Sequence, residues 1–239
     1  AKHIMIVGRR QHALDDVRRR FPGVQVHAQA ADLTCTQSVL ALRDAVVRCM
    51  GGLDTLHVVF GATSILPILG VAGVDPCGVN AETEERGLTH ATQDGLDRIG
   101  ETVQRSCDAN VKGPAIVLGA LIPLMQTTSS RPAVVTIGSV AGLIPAPTRA
   151  VYCASKSAQH LLVRSVDLEC ESQAGMPAPG QPRRARVHFL LVAPGPIKNS
   201  FVATYSVDAS TGPRDRRDQA LRVEDVVRAT PVSYTHLRA

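Results

Sequence analysis

Tyr152 and Lys156 lie four residues apart in the segment Tyr-Cys-Ala-Ser-Lys, and Ser139 stands thirteen residues before Tyr152. Residues at i and i+4 share one face of a helix. An ammonium held near a phenol favours the phenolate and lowers the phenol pKa from its usual value of about 10. The pair could therefore act as a general acid/base near neutral pH. The same spacing also occurs in ordinary exposed helix pairs, so its surroundings must decide.

The elements that would position these residues can be read on either side of them. The run Ala133–Ser139, rich in Val, Ile and Thr, predicts a buried strand that ends at Gly138-Ser139. A long helix is predicted to open between Thr148 and Tyr152, with apolar residues at helical spacing through Leu168. Open α/β sheets bind ligands at the carboxyl edge of their strands, where this serine and this helix would meet.

Together these residues resemble the short-chain dehydrogenase/reductase family. The resemblance rests on Gly138-Ser139, on Tyr152 to Lys156 and on Pro194-Gly195-Pro196-Ile197, and it covers residues 2–228. It implies a Rossmann-like α/β fold, a doubly wound parallel sheet, and an oxidoreductase that interconverts a carbonyl and an alcohol. It leans towards the hydroxysteroid-dehydrogenase-like branch, because Phe60-Gly61-Ala62-Thr63 replaces the common Asn-Asn-Ala-Gly.

The resemblance also implies a catalytic role for each of four residues. Tyr152 would exchange a proton with the substrate oxygen, and Ser139 would hydrogen-bond the same oxygen. Lys156 would lower the Tyr152 pKa and hold the nicotinamide ribose. Asn110 would order a water chain to Lys156, although alone it could be an ordinary helix residue.

The expected cofactor is NADP, with NAD as the weaker candidate. Arg9 and Arg10 follow the first predicted strand, where an acidic residue would accept the 2′-hydroxyl of NAD and arginine accommodates the 2′-phosphate of NADP. Other expected cofactor contacts are Asp32 and Leu33 at the adenine, Gly61 and Ala62 beside the cofactor, Tyr152 and Lys156, and Pro194, Gly195 and Ile197. Asp32 could equally be an aspartate that precedes a helix. Asn199 or Ser200 could replace the family threonine at the nicotinamide amide.

The amino-acid composition limits the classes of molecule that the chain is expected to bind. The net charge of +5 comes largely from arginine clusters, but aromatic residues make up only 3% of the chain, which argues against a nucleic-acid-binding module. Six scattered cysteines without ligand spacing predict reduced thiols in an intracellular protein and no metal site. No run of the length that a membrane helix needs is found. Expected partners are a small carbonyl or alcohol substrate and a second copy of the chain, and an anchor outside this sequence stays open.

Alternating strands and helices predict one NAD(P)-binding domain over residues 1–230. Strands are expected at Ile4–Val7, Val24–Ala28, Leu56–Phe60 and Arg186–Ala193. Helices are expected at Gln11–Phe21, at Thr36–Met50 with Thr36 as the cap, at Thr102–Met125 and from Val223 to Thr230. Residues 66–101 do not follow this alternation of strands and helices, and they are expected to form a long loop or lid. Residues 197–222 are expected to cover the substrate.

The sequence contains no Gly-x-x-x-Gly-x-Gly, the glycine-rich turn whose backbone N–H groups hold the cofactor pyrophosphate in this family. The chain is therefore expected to lack the first strand, which would lie between those at Ile4 and Leu56, and to be inactive as it stands. Residues 231–239 resemble a translated sequencing adapter, and they are expected to be a non-native tail. The rival hypothesis is a non-catalytic dinucleotide-binding or sensor protein.

Overall fold

The computed structural model describes residues 2–74, 90–173, 180, 184–208 and 220–236. The described strands are β1 (His3–Gly8), β2 (Gln25–Ala30), β3 (Thr55–Val58), β4 (Ala133–Ile137) and β5 (His188–Val192). The helices are α1 (Gln11–Arg20), α2 (Thr36–Met50), α3 (Ile68–Val71), α4 (Gln93–Cys107), α5 (Gly113–Thr128), α6 (Ala150–Gln173), α7 (Phe201–Tyr205) and α8 (Val223–His236). Strands alternate with helices, as the sequence predicts.

The chain divides into two compact units. Unit 1 comprises Ala1–Val58, Lys112–Val135 and Arg164–Phe189, and unit 2 comprises Val59–Val111, Thr136–Val163 and Leu190–Ala239. The four residues with expected catalytic roles all belong to unit 2. The arginines and the aspartate expected at the adenosine belong to unit 1.

The strands form two parallel sheets. In one, β1 pairs with β2 in a register that sets His3 against Gln25. In the other, β4 lies between β3 and β5. Ala133 N donates to Asp54 O, where β3 and β4 begin, and Gly138 N donates to Val192 O, just beyond the carboxyl ends of β4 and β5. Since starts pair with starts and ends with ends, these strands run in the same direction.

Strands β1 and β3 belong to separate sheets. The further strand expected between them stays a prediction. No residue of β1 or β2 is fully buried, whereas Ala133, Val134 and Val135 of the central strand β4 are at most 2% exposed.

Helices α2 and α5 form the densest part of the core of unit 1. Val39 of α2 and Met125 of α5 are 0% exposed, and the apolar faces of the two helices pack together. Burial of such side chains is the main favourable term in folding, worth roughly 1.5–3 kcal/mol for each large one. The apolar spacing from Val39 to Cys49 therefore predicts α2 with its correct bounds, although Cys35 and not Thr36 is the N-cap.

A continuous helical run extends from α4 through a π-helical turn at Asp108–Lys112 into α5. It begins at Gln93, so the prediction that it starts at Thr102 is wrong. Thr92 is the N-cap and accepts a hydrogen bond from Gly95 N at 3.2 Å. The buried face of α4 consists of Gly95, Thr102 and Ser106, which are small or polar, whereas the apolar side chains of Leu96 and Val103 are exposed.

Two other elements differ from the sequence expectations. The region expected to be a loop contains α3, and its residues 75–89 lie outside the described part, as do 209–219. Helix α8 continues to His236, beyond the predicted end at Thr230. The helical run Gln93–Thr128 is long and apolar enough to cross a membrane by length and composition alone, and the core helices of soluble proteins meet the same criterion.

The start of α4 packs directly on the end of α3, which makes Gly95 a test of the fold. Alanine at Gly95 would place its Cβ 3.1 Å from the carbonyl carbon of Ala72 and closer still to the carbonyl oxygen. We expect Gly95→Ala to lower the free energy of unfolding by about 1–3 kcal/mol in denaturant titrations. Gly100→Ala in the same helix meets no atom within 4 Å, so it should raise stability by roughly 0.5–1 kcal/mol. Equal effects of Gly95→Ala and Gly100→Ala on the free energy of unfolding would contradict the close contact between Gly95 and Ala72.

Candidate active site

Ser139 lies just beyond the carboxyl end of β4, where the chain turns sharply. Its hydroxyl accepts from Ala141 N at 3.2 Å and so caps the 3₁₀ turn Val140–Gly142. The neighbouring Val140 N donates to Pro194 O at 2.9 Å, which ties this turn to the segment after β5. The serine is therefore held at the edge of the sheet predicted from the sequence.

The ring of His160, on α6, holds the backbone of Ser139 by a hydrogen bond. Ser139 N donates to His160 Nε2 at 3.2 Å, and His160 is only 3% exposed. The ring fits because Gly138 and Gly142 have no side chains: a Cβ at Gly142 would lie 2.5 Å from His160 Cε1. His160 was not predicted from the sequence, in which its signal is a histidine one helical turn after Lys156.

Tyr152 lies in the first turn of α6, and its phenol is hydrogen-bonded to Ser139. The structure thus brings together the two residues predicted to act on the substrate oxygen. Burial raises the pKa of Tyr152 above its ordinary value, and the hydrogen bond with Ser139 and the charge of Arg149 offset part of this rise. The helix begins at Ala150, after Thr148 adopts the left-handed conformation with a φ of 60°.

Lys156 lies one turn further along α6 and is almost completely buried, at 4% exposure. Burial lowers its pKa from 10.5 to about 8. Its Nζ donates to Gln159 Oε1 at 2.8 Å and to Ile137 O at 3.4 Å. The sequence predicts that Lys156 lowers the Tyr152 pKa. On balance burial raises that pKa in the structure, and the nearby charge that offsets part of the rise is that of Arg149.

Asn110 joins three segments of unit 2 and is 0% exposed. Its Oδ1 accepts from Ala62 N at 2.9 Å, and its Nδ2 donates to Ala62 O and to Ser155 Oγ, each at 2.9 Å. Ser155 Oγ in turn donates to Tyr152 O at 2.9 Å. The side-chain amide therefore pairs with the backbone after β3 as a neighbouring strand would, and it reaches the helix that carries Tyr152.

Gly61 explains how Asn110 can come so close. A Cβ at Gly61 would lie 2.6 Å from Asn110 Oδ1 and 3.5 Å from Lys156 Nζ. The sequence analysis expects the loss of an asparagine here to remove ties between neighbouring strands. The structure shows that the Asn110 side chain hydrogen-bonds the backbone of Ala62, the residue after Gly61, and links it to Ser155 of α6.

The remaining cofactor candidates of unit 2 follow β5. Pro194 O accepts from Val140 N, and Ile197 forms a parallel bridge with Leu221. No atom lies within 4 Å of a Cβ placed on Gly195, so the backbone is open there. Asn199, a possible substitute for the family threonine, accepts from Phe201 N at 3.0 Å at the start of α7, and Ser200, the other candidate, is the N-cap of that helix.

The cofactor candidates of unit 1 lie at the carboxyl ends of β1 and β2. Ala31 N donates to Gly8 O at 2.9 Å, which holds these two strand ends together. Arg9 and Arg10 are exposed just after β1, and Leu33 follows β2. Asp32 accepts from Thr34 N and Thr34 Oγ1. These bonds lower its pKa, burial opposes them, and the nearby charge of Arg9 contributes further lowering.

The model of the short chain dehydrogenase family matches residues 1–206 of this chain. The chain belongs to the short-chain dehydrogenase family. Human dehydrogenase/reductase SDR family member 4 is 33% identical over 106 residues, which are 44% of this chain and 34% of that protein. Human 17-beta-hydroxysteroid dehydrogenase type 1 is 37% identical over 108 residues, 45% of this chain and 29% of that protein. These alignments span about a third of each relative's own length.

Solved structures of short-chain dehydrogenases share the fold. An alcohol dehydrogenase of the archaeon Thermococcus sibiricus, complexed with 5-hydroxy-NADP, matches with a TM-score of 0.66 at 15% identity over 97% of this chain and 79% of that one. A short-chain dehydrogenase/reductase of Burkholderia phymatum in complex with NAD matches with a TM-score of 0.63 at 18% identity over 94% and 66%. The family and the fold class predicted from the sequence are thereby confirmed.

Asp208 fastens two segments of unit 2 to each other, and it was not predicted from the sequence. It accepts from Ser64 Oγ at 2.6 Å and from the backbone N–H groups of Ile65 and Leu66. Thr63 N donates to Tyr205 O, and Val207 N donates to Thr63 O. The segment after α7 is thereby fastened to the segment after β3. Only a contact 144 residues apart in sequence reveals this role.

The buried ammonium of Lys156 makes stability depend on pH. Its folded pKa of about 8 lies below its ordinary value of 10.5, so the unfolded chain binds more protons between these values. The free energy of unfolding should therefore rise with pH, by about 2–3 kcal/mol between pH 8 and pH 10. We expect this rise, measured in urea, to disappear in Lys156→Met and to persist in Lys198→Met, which changes an exposed lysine. A pH dependence unchanged in Lys156→Met would contradict the burial of the charge.

Proposed function

We propose that this chain carries the catalytic residues of an NADP-dependent oxidoreductase that interconverts a small carbonyl compound and its alcohol. The observation that carries the proposal is the hydrogen bond between the Tyr152 phenol and Ser139 at the carboxyl end of β4. Lys156 lies one helical turn away from Tyr152, buried and with a lowered pKa. Perturbed ionisable groups gathered at a strand edge are the usual mark of a functional site.

In the reducing direction, Tyr152 donates the phenolic proton to the substrate oxygen while that oxygen also accepts from Ser139. A bound nicotinamide cofactor supplies the hydride that the carbonyl carbon accepts. Burial favours the protonated phenol, which is the form that a general acid needs at the start of a reduction. In the oxidising direction, the phenolate must instead take the proton, and the positive charges of Arg149 and Lys156 would stabilise it.

The chain supplies some of the residues that such a cofactor needs. Arg9 and Arg10 are exposed at the end of β1 with no acidic residue between Gly8 and Gln11, which suits a 2′-phosphate. Lys156 would hold the nicotinamide ribose and Gly195 leaves the backbone accessible. The glycine-rich turn for the pyrophosphate does not occur in these 239 residues. We therefore expect the chain by itself to be inactive.

A sensor that binds the dinucleotide without turning it over is the second candidate. A sensor would need the glycine-rich turn as much as the enzyme does, because both must hold the pyrophosphate, so the absence of that motif from the sequence does not separate the two. The hydrogen bond between Tyr152 and Ser139 favours the enzyme, because binding alone does not require a proton donor at that position. Tight NADPH binding without turnover of any carbonyl would support the sensor.

Tyr152→Phe tests the proton donor. In the full-length product of the reading frame, assayed for NADPH oxidation over a panel of aldehydes and ketones, we expect a loss of about 10²–10⁴-fold in kcat. Tyr205→Phe makes the same chemical change at a tyrosine with no predicted catalytic role, and it should leave kcat near the wild-type value. Retained activity in Tyr152→Phe would refute the assignment. The 239-residue chain serves as the negative control.

Replacing both Arg9 and Arg10 by alanine tests the cofactor preference. Loss of two cations from the 2′-phosphate site should weaken NADPH binding at least about tenfold, and NADH binding much less. Fluorescence titration with each cofactor would measure the two dissociation constants in the full-length protein. Arg19 and Arg20, at the far end of α1, provide the matched double replacement, which should change neither constant. An equal loss for both cofactors would contradict the NADP preference.

A further inference from the structure

A buried glutamine lies directly beside the lysine of the candidate active site. Gln159 is 0% exposed and follows Lys156 by three residues on α6, a spacing that places two side chains on the same helix face. Its Oε1 accepts from Lys156 Nζ at 2.8 Å. Nothing in the sequence reading assigns Gln159 a role.

This contact is the better of the two hydrogen bonds recorded for Lys156. The bond to Ile137 O is 3.4 Å long, beyond the usual range of N–H···O bonds, whereas that to Gln159 lies within it. An ammonium has three donors. With two acceptors in place, the position of Nζ and the direction of its third N–H are both determined.

A glutamine here is costly unless it serves a purpose. Its Nε2 is one of the buried atoms that have no hydrogen-bond partner in the described part of the chain. A leucine of similar size would fill the space without burying an unsatisfied amide. What the glutamine provides, and leucine cannot, is an acceptor for the Lys156 ammonium.

We propose that Gln159 is a positioning residue that holds the Lys156 ammonium in its charged form and in fixed orientation. This inference rests on the proposed function, in which Lys156 binds the nicotinamide ribose and assists Tyr152. A hydrogen-bond acceptor stabilises the ammonium, whereas burial disfavours it. Gln159 therefore opposes the effect of burial and keeps Lys156 protonated near neutral pH.

Few charged groups complicate the titration of Lys156. Other segments place uncharged groups near its ammonium, namely the Gly61 backbone and the Ile137 carbonyl. Burial alone accounts for its lowered pKa. The ionisable side chains closest in sequence on the same helix are Tyr152, Cys153 and His160.

The chain has only four lysines, Lys2, Lys112, Lys156 and Lys198, so isotope-labelled lysine gives four side-chain resonances whose titration can be followed by NMR. Lys156→Met identifies the relevant signal. We expect Gln159→Leu to lower the pH at which Lys156 titrates by about one pH unit, since a hydrogen bond to a charged group is lost. Gln159→Glu should raise it, because a carboxylate favours the ammonium.

Gln126→Leu is the matched control for this experiment. Gln126, on α5, is also buried and its Nε2 also lacks a hydrogen-bond partner among the described residues, but the two hydrogen bonds that Lys156 Nζ donates go to Gln159 and Ile137. It should leave the Lys156 titration unchanged. If Gln159 only filled space, the leucine and glutamate variants would not shift the Lys156 titration in opposite directions. Circular dichroism would show whether each variant is folded. An unchanged titration in folded Gln159→Leu, or in Gln159→Met should the leucine variant not fold, overturns the proposal.

Kinetics of the full-length protein then separate this proposal from the proposed function. In Gln159→Leu we expect KM for NADPH to rise, and the alkaline limb of the kcat profile to move to lower pH, with recovery in Gln159→Glu. If the wild-type protein turns over no substrate but the lysine titrations shift as expected, the positioning role stands and the proposed function falls. If the wild type is active and Gln159→Leu shows the same KM for NADPH and the same pH profile as the wild type, the positioning role is refuted and the proposed function is not.

Discussion

The Asn110 amide is the interaction on which the rest of the catalytic region depends. Three good hydrogen bonds, each 2.9 Å long, join it to both backbone groups of Ala62 and to Ser155. A buried amide that lost these partners would cost about 1–3 kcal/mol for each unsatisfied group. Local structure adapts to this interaction: the helix widens into a π turn around Asn110, and position 61 carries no side chain. The start of α6, and with it Tyr152, is thereby fixed relative to the segment after β3.

Burial then sets the charge states within this frame. The same desolvation that raises the pKa of the Tyr152 phenol lowers that of the Lys156 ammonium, because each loses hydration of its charged form. Both groups are thus pushed towards neutrality, and hydrogen bonds from Ser139 and to Gln159 act in the opposite direction. The site balances solvent exclusion against a few well-placed polar partners, which is a recurrent way of tuning acids and bases.

Much of this arrangement could be predicted from the sequence, and what could not has a common physical reason. Strand–helix alternation identified the fold, and the spacing of Ser139, Tyr152 and Lys156 identified residues that the fold brings to one strand edge. Asp208, by contrast, acts on backbone groups far away in sequence, which no local pattern encodes. The start of α4 was missed because its buried face is small and polar. The raised pKa of Tyr152 depends on burial, which a sequence does not display.

The junction of α3 and α4 has a consequence for how this protein can vary. The end of α3 and the start of α4 touch, with Gly95 against Ala72 and Arg98 Nε donating to Val71 O at 3.2 Å. The described residues on either side of positions 75–89 therefore lie close together. For a loop whose ends are fixed in this way, doubling the length costs only about 0.6 kcal/mol. Insertions and deletions can accumulate at this junction while the catalytic residues stay where they are, so that new specificity can be explored without rebuilding the chemistry.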